Sequence, residues 1–175
     1  MNFIYIYNMN NQFANFLSFI PFFYFFIINI LWFLNKIKII KFNISGIYIV
    51  GLFFTTITAQ IFKSFPYPDF LQKYSVRPKG AKGCDYLSMK GNVEGVPALP
   101  SGHMATTGYF VFFNILIISK YFKKYYYLFV VPNIILLVLM GWARYIKKCH
   151  NLLQIFSGSI YGMFLGKIFF NLIYK

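Results

Sequence analysis

Residues 125–143 read YYYLFVVPNIILLVLMGWA, an apolar run without a charged side chain. Because about 20 helical residues cross the roughly 30 Å hydrocarbon core of a bilayer, this run predicts a membrane-spanning helix. Comparable apolar stretches occur at 13–34, 44–65, 104–122 and 152–173. Lipid does not tolerate unpaired backbone groups, and the alternating pattern of barrel strands is missing. We therefore predict an all-α, polytopic membrane helical bundle of about five transmembrane helices, with a long loop between helices 2 and 3.

The composition of the whole chain fits an integral, multi-pass membrane protein. Of its 175 residues, 59% are hydrophobic, 23% aromatic and only 11% charged, whereas soluble domains carry about 25% charged residues. We treat 1–175 as a single domain. Residues 1–12 carry no charged side chain, so we expect the first stretch to be a span and not a cleavable signal. A signal anchor that contributes little to the core is the alternative.

The charge balance is strongly basic, with 17 Lys and Arg against 3 Asp and Glu, a formal net charge of +14. In a soluble protein this would suggest nucleic acid as the partner. Here the lysines stand mainly at helix ends and in loops, where they contact lipid headgroups and attract anionic substrates. We therefore expect a membrane and an anionic ligand as partners, and no nucleic acid.

The chain contains only two arginines and two histidines, and these four residues fall in three clusters. These are Arg77-Pro78, Pro100-Ser101-Gly102-His103, and Arg144 followed by His150. With five spans, the loops 66–103 and 143–151 lie on the same side of the membrane. A five-span topology therefore places all three clusters at the same face of the membrane.

The side of the membrane that carries this site is predicted from lysines and cysteines. The face that carries the three clusters, the site face, and the face with the two short loops have nearly equal numbers of lysines, so the count alone barely gives the orientation. If some cations of the site face serve the substrate, the remaining lysines favour the face with the short loops as cytoplasmic. We therefore predict a non-cytoplasmic site. Both cysteines, Cys84 and Cys149, belong to the site face. Either they form a disulfide, if that face is oxidising, or they are two separate thiols.

The cluster at 100–103 predicts a cradle for phosphate oxygens. Ser101 is placed to cap the third span, Gly102 lets a ligand approach the backbone, and a helix start offers free N–H groups to an anion. Arginine adds paired, charge-assisted hydrogen bonds, and histidine supplies a nucleophile and a proton donor. The only acids are Asp69, Asp85 and Glu94, with no ligand set at metal spacing, so we expect neither metal nor cofactor.

The three clusters resemble the motifs of the type 2 phosphatidic acid phosphatase superfamily, the membrane lipid phosphate phosphatases, from about Lys63 to Gly162. The resemblance implies that His150 attacks phosphorus to form a phosphohistidine and that His103 protonates the leaving oxygen, then activates water. It also implies that the transferred group is held by Arg77, Arg144, Ser101 and Gly102.

Three positions depart from the family pattern. The family lysine before Arg77 is displaced, so Lys63 and Lys73 are both candidates, with Lys63 preferred. Ala143 stands where the family has serine, which removes one hydroxyl. Gln154 replaces the acid that orients the nucleophile; lying one helical turn after His150, it can still accept from the imidazole. This glutamine looks similar to that of the dolichyl diphosphate phosphatases.

Gly158, Gly162 and Gly166 form a small-residue ridge beneath the proposed nucleophile. The ridge predicts either close packing on a neighbouring span or a homodimer interface.

These observations predict a metal-independent lipid phosphatase that acts on a lipid phosphate or polyprenyl diphosphate. A catalytically silent scaffold or lipid-binding protein of the same fold is the alternative.

Overall fold

The computed structural model describes residues 12–20, 23, 46–84 and 92–174, apart from the side chain of residue 125. These residues form helices, and the only β pairing among them is two isolated bridges. Residues 12–18 are helical. The helices that follow are α1 (Gly46–Phe62), α2 (Asp69–Ser75), α3 (Gly102–Tyr121), α4 (Tyr126–Ile146) and α5 (Leu152–Ile173), with a 3-10 turn at Lys123–Tyr125 between α3 and α4.

The predicted helical membrane bundle is confirmed. Helices α3, α4 and α5 are long and apolar enough to cross a membrane, and α1 is a shorter apolar helix of 17 residues. At 1.5 Å per residue α1 is about 25 Å long, near the lower limit for a span. Most of the first predicted span, 13–34, lies outside the described residues, so the count of five stays a prediction.

Ser101 caps the third span as predicted, although the helix begins two residues before the predicted bound of 104, and α4 ends three residues after its predicted bound of 143. Because Ser101 caps α3, the helix begins at Gly102 and His103 belongs to its first turn. Helix α4 continues to Ile146, so Arg144 lies in its last turn and not in the following loop. Both functional residues are therefore held by helical backbone.

The closest helix pair is α3 with α5, and the glycine ridge of α5 forms the contact. A side chain at Gly162 would meet the backbone of Ala105 and Tyr109, and one at Gly158 would meet Ser101. Gly166 is likewise buried against Tyr109. The predicted packing inside the chain is confirmed, and the alternative of a dimer interface through this ridge is wrong because α3 covers it.

Two apolar contacts hold the other helices. Tyr48 and Leu52 of α1 pack on Tyr109 and Phe113 of α3, together with Leu165. The helical residues 12–18 pack against the end of α4. Much of the remaining helix surface consists of exposed large apolar side chains, as expected where lipid covers the protein.

We call residues 63–101 the site loop; its residues 85–91 lie outside the described part of the chain. The loop contains α2 and folds back on itself through backbone hydrogen bonds. Arg77 N donates to Val96 O at 2.9 Å, and Ala98 N donates to Ser75 O at 2.7 Å. These bonds bring the segment that carries Arg77 next to the segment that leads into α3.

Candidate active site

A cavity of about 600 Å³ opens where the end of α1, the site loop and the starts of α3 and α5 meet. Five of the predicted site residues line it: Lys63, Arg77, Gly102, His103 and His150. The other lining residues are Gln60, Ser64, Cys84, Val96 and Pro97. Residues from three separate clusters therefore share one cavity.

His150 lies just before the start of α5 and is fixed by Gln154, four residues further along the chain. Its Nδ1 lies 3.0 Å from Gln154 Oε1. The amide nitrogen of Gln154 donates to Tyr74 O at 2.7 Å and to Val76 O at 2.8 Å, so Oε1 is the atom left to face the histidine. The imidazole must then donate from Nδ1, which leaves the lone pair of the ring on Nε2.

The charge state of His150 also suits a nucleophile. Burial is the main cause that lowers the pKa of His150 well below its usual value, and the positive charge of Arg144 adds to it. The hydrogen bond to Gln154 opposes the shift. The imidazole is therefore neutral at neutral pH, with its lone pair available.

Gln154 also builds the start of α5. Its backbone N donates to Asn151 Oδ1 at 3.0 Å, while Asn151 N donates to Gln154 Oε1 at 3.3 Å, a reciprocal capping box. Asn151 Nδ2 donates to Tyr74 O as well, at 3.0 Å. The orientation of His150, the helix start and the site loop thus depend on one buried amide.

Arg144 is fully buried and contacts His103 directly. Its Nη1 lies 3.0 Å from His103 Nε2 and donates to Cys84 O at 3.1 Å, while Nη2 donates to Ser18 Oγ. A guanidinium has only donors, so His103 Nε2 accepts and carries no proton here. Arg144 itself is not among the residues that line the cavity.

The two candidate lysines occupy different surroundings. Lys63 follows α1, lines the cavity and donates to Gln60 Oε1 at 2.9 Å. Lys73 is exposed, and its ammonium lies 4.8 Å from the ring centre of Tyr74. The structure brings Lys63, and not Lys73, to the histidines.

The start of α3 has the geometry predicted for a cap. Ser101 is buried, and its Oγ accepts from Met104 N at 3.5 Å. A side chain at Gly102 would come within 3.4 Å of Gln60 Nε2 and 3.7 Å of Lys63 Nζ. The absence of a side chain therefore keeps the backbone of the first turn open toward these donors.

A disulfide joins Cys84 of the site loop to Cys149, so the first of the two open alternatives is correct. Cys84 lines the cavity, and Cys149 directly precedes His150. Close by, Lys147 Nζ donates to Gly83 O at 2.9 Å. Burial, together with the charge of Arg144, lowers the pKa of Lys147 to about 8.

Sequence reasoning missed Gln60, Ser18 and the carbonyl of Tyr74. Gln60 had a signal, because it precedes Lys63 by three residues and so shares its helix face. Ser18 had none, since nothing in the sequence says which face of the first stretch meets α4. The Tyr74 carbonyl is backbone, and only the course of the site loop brings it to Gln154.

A family model described as the PAP2 superfamily matches residues 41–175. No curated protein and no solved structure gives a significant match to the chain.

Proposed function

The chain belongs to the PAP2 superfamily, and from that premise we propose that it hydrolyses a lipid phosphate or polyprenyl diphosphate through a phosphohistidine on His150. Membership supports a hydrolase that acts on lipid-type phosphates. One observation carries the finer proposal: two histidines, Arg77 and Lys63 line one cavity, and the lone pair of His150 is on Nε2.

In the first chemical step, His150 Nε2 forms a bond to phosphorus as the bond to the leaving oxygen breaks. His103 supplies the proton that the leaving oxygen needs. In this structure Arg144 Nη1 donates to His103 Nε2. That hydrogen bond must break before His103 Nε2 can bind a proton. A bound phosphate competes for the guanidinium, and His103 Nε2 can then take up a proton from solvent and pass it to the leaving oxygen.

In the second step, water attacks phosphorus and gives its proton to His103 while the bond to His150 breaks. Inorganic phosphate leaves, and His150 recovers its lone pair. Arg77, Arg144 and Lys63 stabilise the negative charge on the phosphoryl oxygens through both steps, and the Gly102 amide and Ser101 complete the cradle. This set of groups supplies a nucleophile, an acid–base and cations, so the proposal requires neither metal nor cofactor.

The preferred substrate class is a polyprenyl diphosphate. Its support is Gln154, the position at which the chain resembles the dolichyl diphosphate phosphatases. Phosphatidic acid and other lipid monophosphates present the same phosphoryl group to the cavity and are the competing substrates.

The site is proposed to face the non-cytoplasmic side. The disulfide between Cys84 and Cys149 supports this orientation, because such bonds form and persist in oxidising compartments. The bond lies beside the cavity, so the compartment that oxidises it also contains the phosphate group of the substrate.

The test is phosphate release by detergent-solubilised protein from a polyprenyl diphosphate, a polyprenyl monophosphate and phosphatidic acid, with and without a chelator. We expect release that the chelator does not change and that His150→Ala abolishes. Lys123→Ala, in the turn between α3 and α4, serves as the matched control and retains activity. Release no greater than that of His150→Ala on every substrate would favour the silent scaffold.

A further inference from the structure

We propose that Ser18 is a positioning residue that fixes the guanidinium of Arg144 for phosphate binding. The inference rests on the proposed function, because it gives Arg144 a phosphate to bind. Ser18 lies in the helical residues 12–18, whereas the family match begins at residue 41. The residue is therefore a feature of this chain and not of the matched region.

The first observation is the contact that brings residues 12–18 to the site. Ala14 and Leu17 pack against Ala143, and both alanines have no exposed surface. Small side chains on both helices permit a close approach. A serine at 143 would place a hydroxyl in this apolar contact, so the alanine that replaces the family serine fits the docked segment.

The second observation is the direction of the Ser18 hydrogen bonds. Its Oγ donates to Ala14 O at 2.7 Å, one helical turn earlier. A hydroxyl has one hydrogen, so the contact with Arg144 Nη2 uses a lone pair of Ser18. The hydroxyl is thus oriented by its own helix to accept from the arginine, and Ser18 is only 8% exposed.

The third observation is what the other end of the guanidinium contacts. Arg144 Nη1 bonds Cys84 O and His103 Nε2. The guanidinium is therefore bonded at both terminal nitrogens, by Ser18 at Nη2 and by Cys84 O and His103 at Nη1. Without Ser18, Nη2 loses the acceptor that fixes its position, and the arginine loses part of the preset orientation that a bidentate phosphate contact needs.

The experiment measures binding of inorganic orthovanadate, a phosphate analogue, by calorimetry on the full-length protein in detergent. Loss of one hydrogen bond to a charged group predicts about tenfold weaker binding by Ser18→Ala. Ser18→Thr keeps the hydroxyl and should restore the affinity. Ser119→Ala, which removes a hydroxyl bonded to its own helix at Leu116 O, should bind as the wild type does.

A double-mutant cycle separates positioning from a general effect on folding. In the Arg144→Ala background, Ser18→Ala should cause no further loss of orthovanadate affinity. Equal orthovanadate affinity of Ser18→Ala and wild type would overturn the proposal. So would a loss of affinity on Ser18→Ala that is as large in the Arg144→Ala background as in the wild type. Because binding is measured apart from turnover, a Ser18-dependent affinity without hydrolysis of any lipid would overturn only the proposed function.

Discussion

The α3–α5 pair and the site loop hold their parts of the site by different means. In the helix pair, glycines bring the two backbones into contact, so Gly158 and Gly162 leave no room for a side chain. The site loop is held instead by single hydrogen bonds and one disulfide. His103 therefore sits on a frame set by shape, while His150, which lies just before α5, and the groups of the site loop depend on individual polar contacts.

This difference separates two kinds of sensitivity. A change in the helix contact should destroy the fold, because α3 and α5 cannot move apart without losing the core. A change in the loop contacts should leave a folded protein whose rate or affinity is altered. Gln154 belongs to both regions, since it starts α5 and binds the site loop.

The largest effect is expected from Gly162→Leu. The new side chain would have to occupy the space of the Ala105 and Tyr109 backbone. Because backbone atoms cannot swing aside, the two helices must separate, which costs more than the roughly 1–3 kcal/mol of ordinary overpacking. We expect no folded protein by size-exclusion chromatography. Lys167→Leu, an exposed position on the same helix, is the control. A folded, active Gly162→Leu protein would remove the distinction between the two regions.

Gln154→Glu should reduce the rate while the fold survives. A carboxylate cannot donate to Tyr74 O and Val76 O, so two carbonyls are left facing a negative charge. At roughly 1–3 kcal/mol for an unpaired buried group, we expect kcat to fall about tenfold to a hundredfold. Ser157→Ala, which removes only a bond to Gln154 O, is the control. A faster Gln154→Glu enzyme would show that the family acid is better here.

Lys63→Ala and Lys73→Ala should differ in their effect on substrate affinity. Lys63 lines the cavity, whereas Lys73 lies over the ring of Tyr74 on the exposed surface. Loss of one charge-assisted hydrogen bond predicts about a tenfold higher KM for Lys63→Ala. We expect less than about a twofold change for Lys73→Ala, since exposed charges contribute little. The reverse order of KM values would assign the family role to Lys73.

The smallest effect is expected from Lys148→Gly, at the turn between α4 and α5. Lys148 has a φ of 54°, and the left-handed conformation costs a residue with a Cβ about 1 kcal/mol. The glycine variant should therefore melt about 2–4 °C higher with unchanged kcat. Lys147→Gly, which loses the bond to Gly83 O, should not be stabilised. A lower melting temperature for Lys148→Gly would mean that the lysine side chain contributes more than the turn costs.

Patterns within the sequence predicted the helices. They also predicted that the three arginine and histidine clusters lie at the same site. The apolar run 152–173 coincides with α5, and the i, i+4 spacing of His150 and Gln154 gave their hydrogen bond. Both regularities are local. Helical periodicity determines the first, whereas His150 precedes the cap residue Asn151, so its bond to Gln154 follows from the chain path at the start of α5.

Contacts between distant segments could not be predicted in the same way. The pairing of Ser18 with Arg144 depends on how one helix is rotated against another, and the choice of Lys63 over Lys73 depends on the path of the site loop. Neither rotation nor path leaves a periodic signal, since each follows from tertiary packing. The replacement at Ala143 was visible in the sequence, but its explanation required the position of Ala14.

The bond between Cys84 and Cys149 closes a covalent ring across a sequence separation of 65 residues. That ring contains both α3 and α4 and the turn Lys123–Tyr125 at the other end of the bundle. The bond therefore ties the start of α3 and the end of α4 together by a covalent link that does not depend on the turn between them. A protease that cuts the turn would leave two fragments that separate on a gel only after reduction.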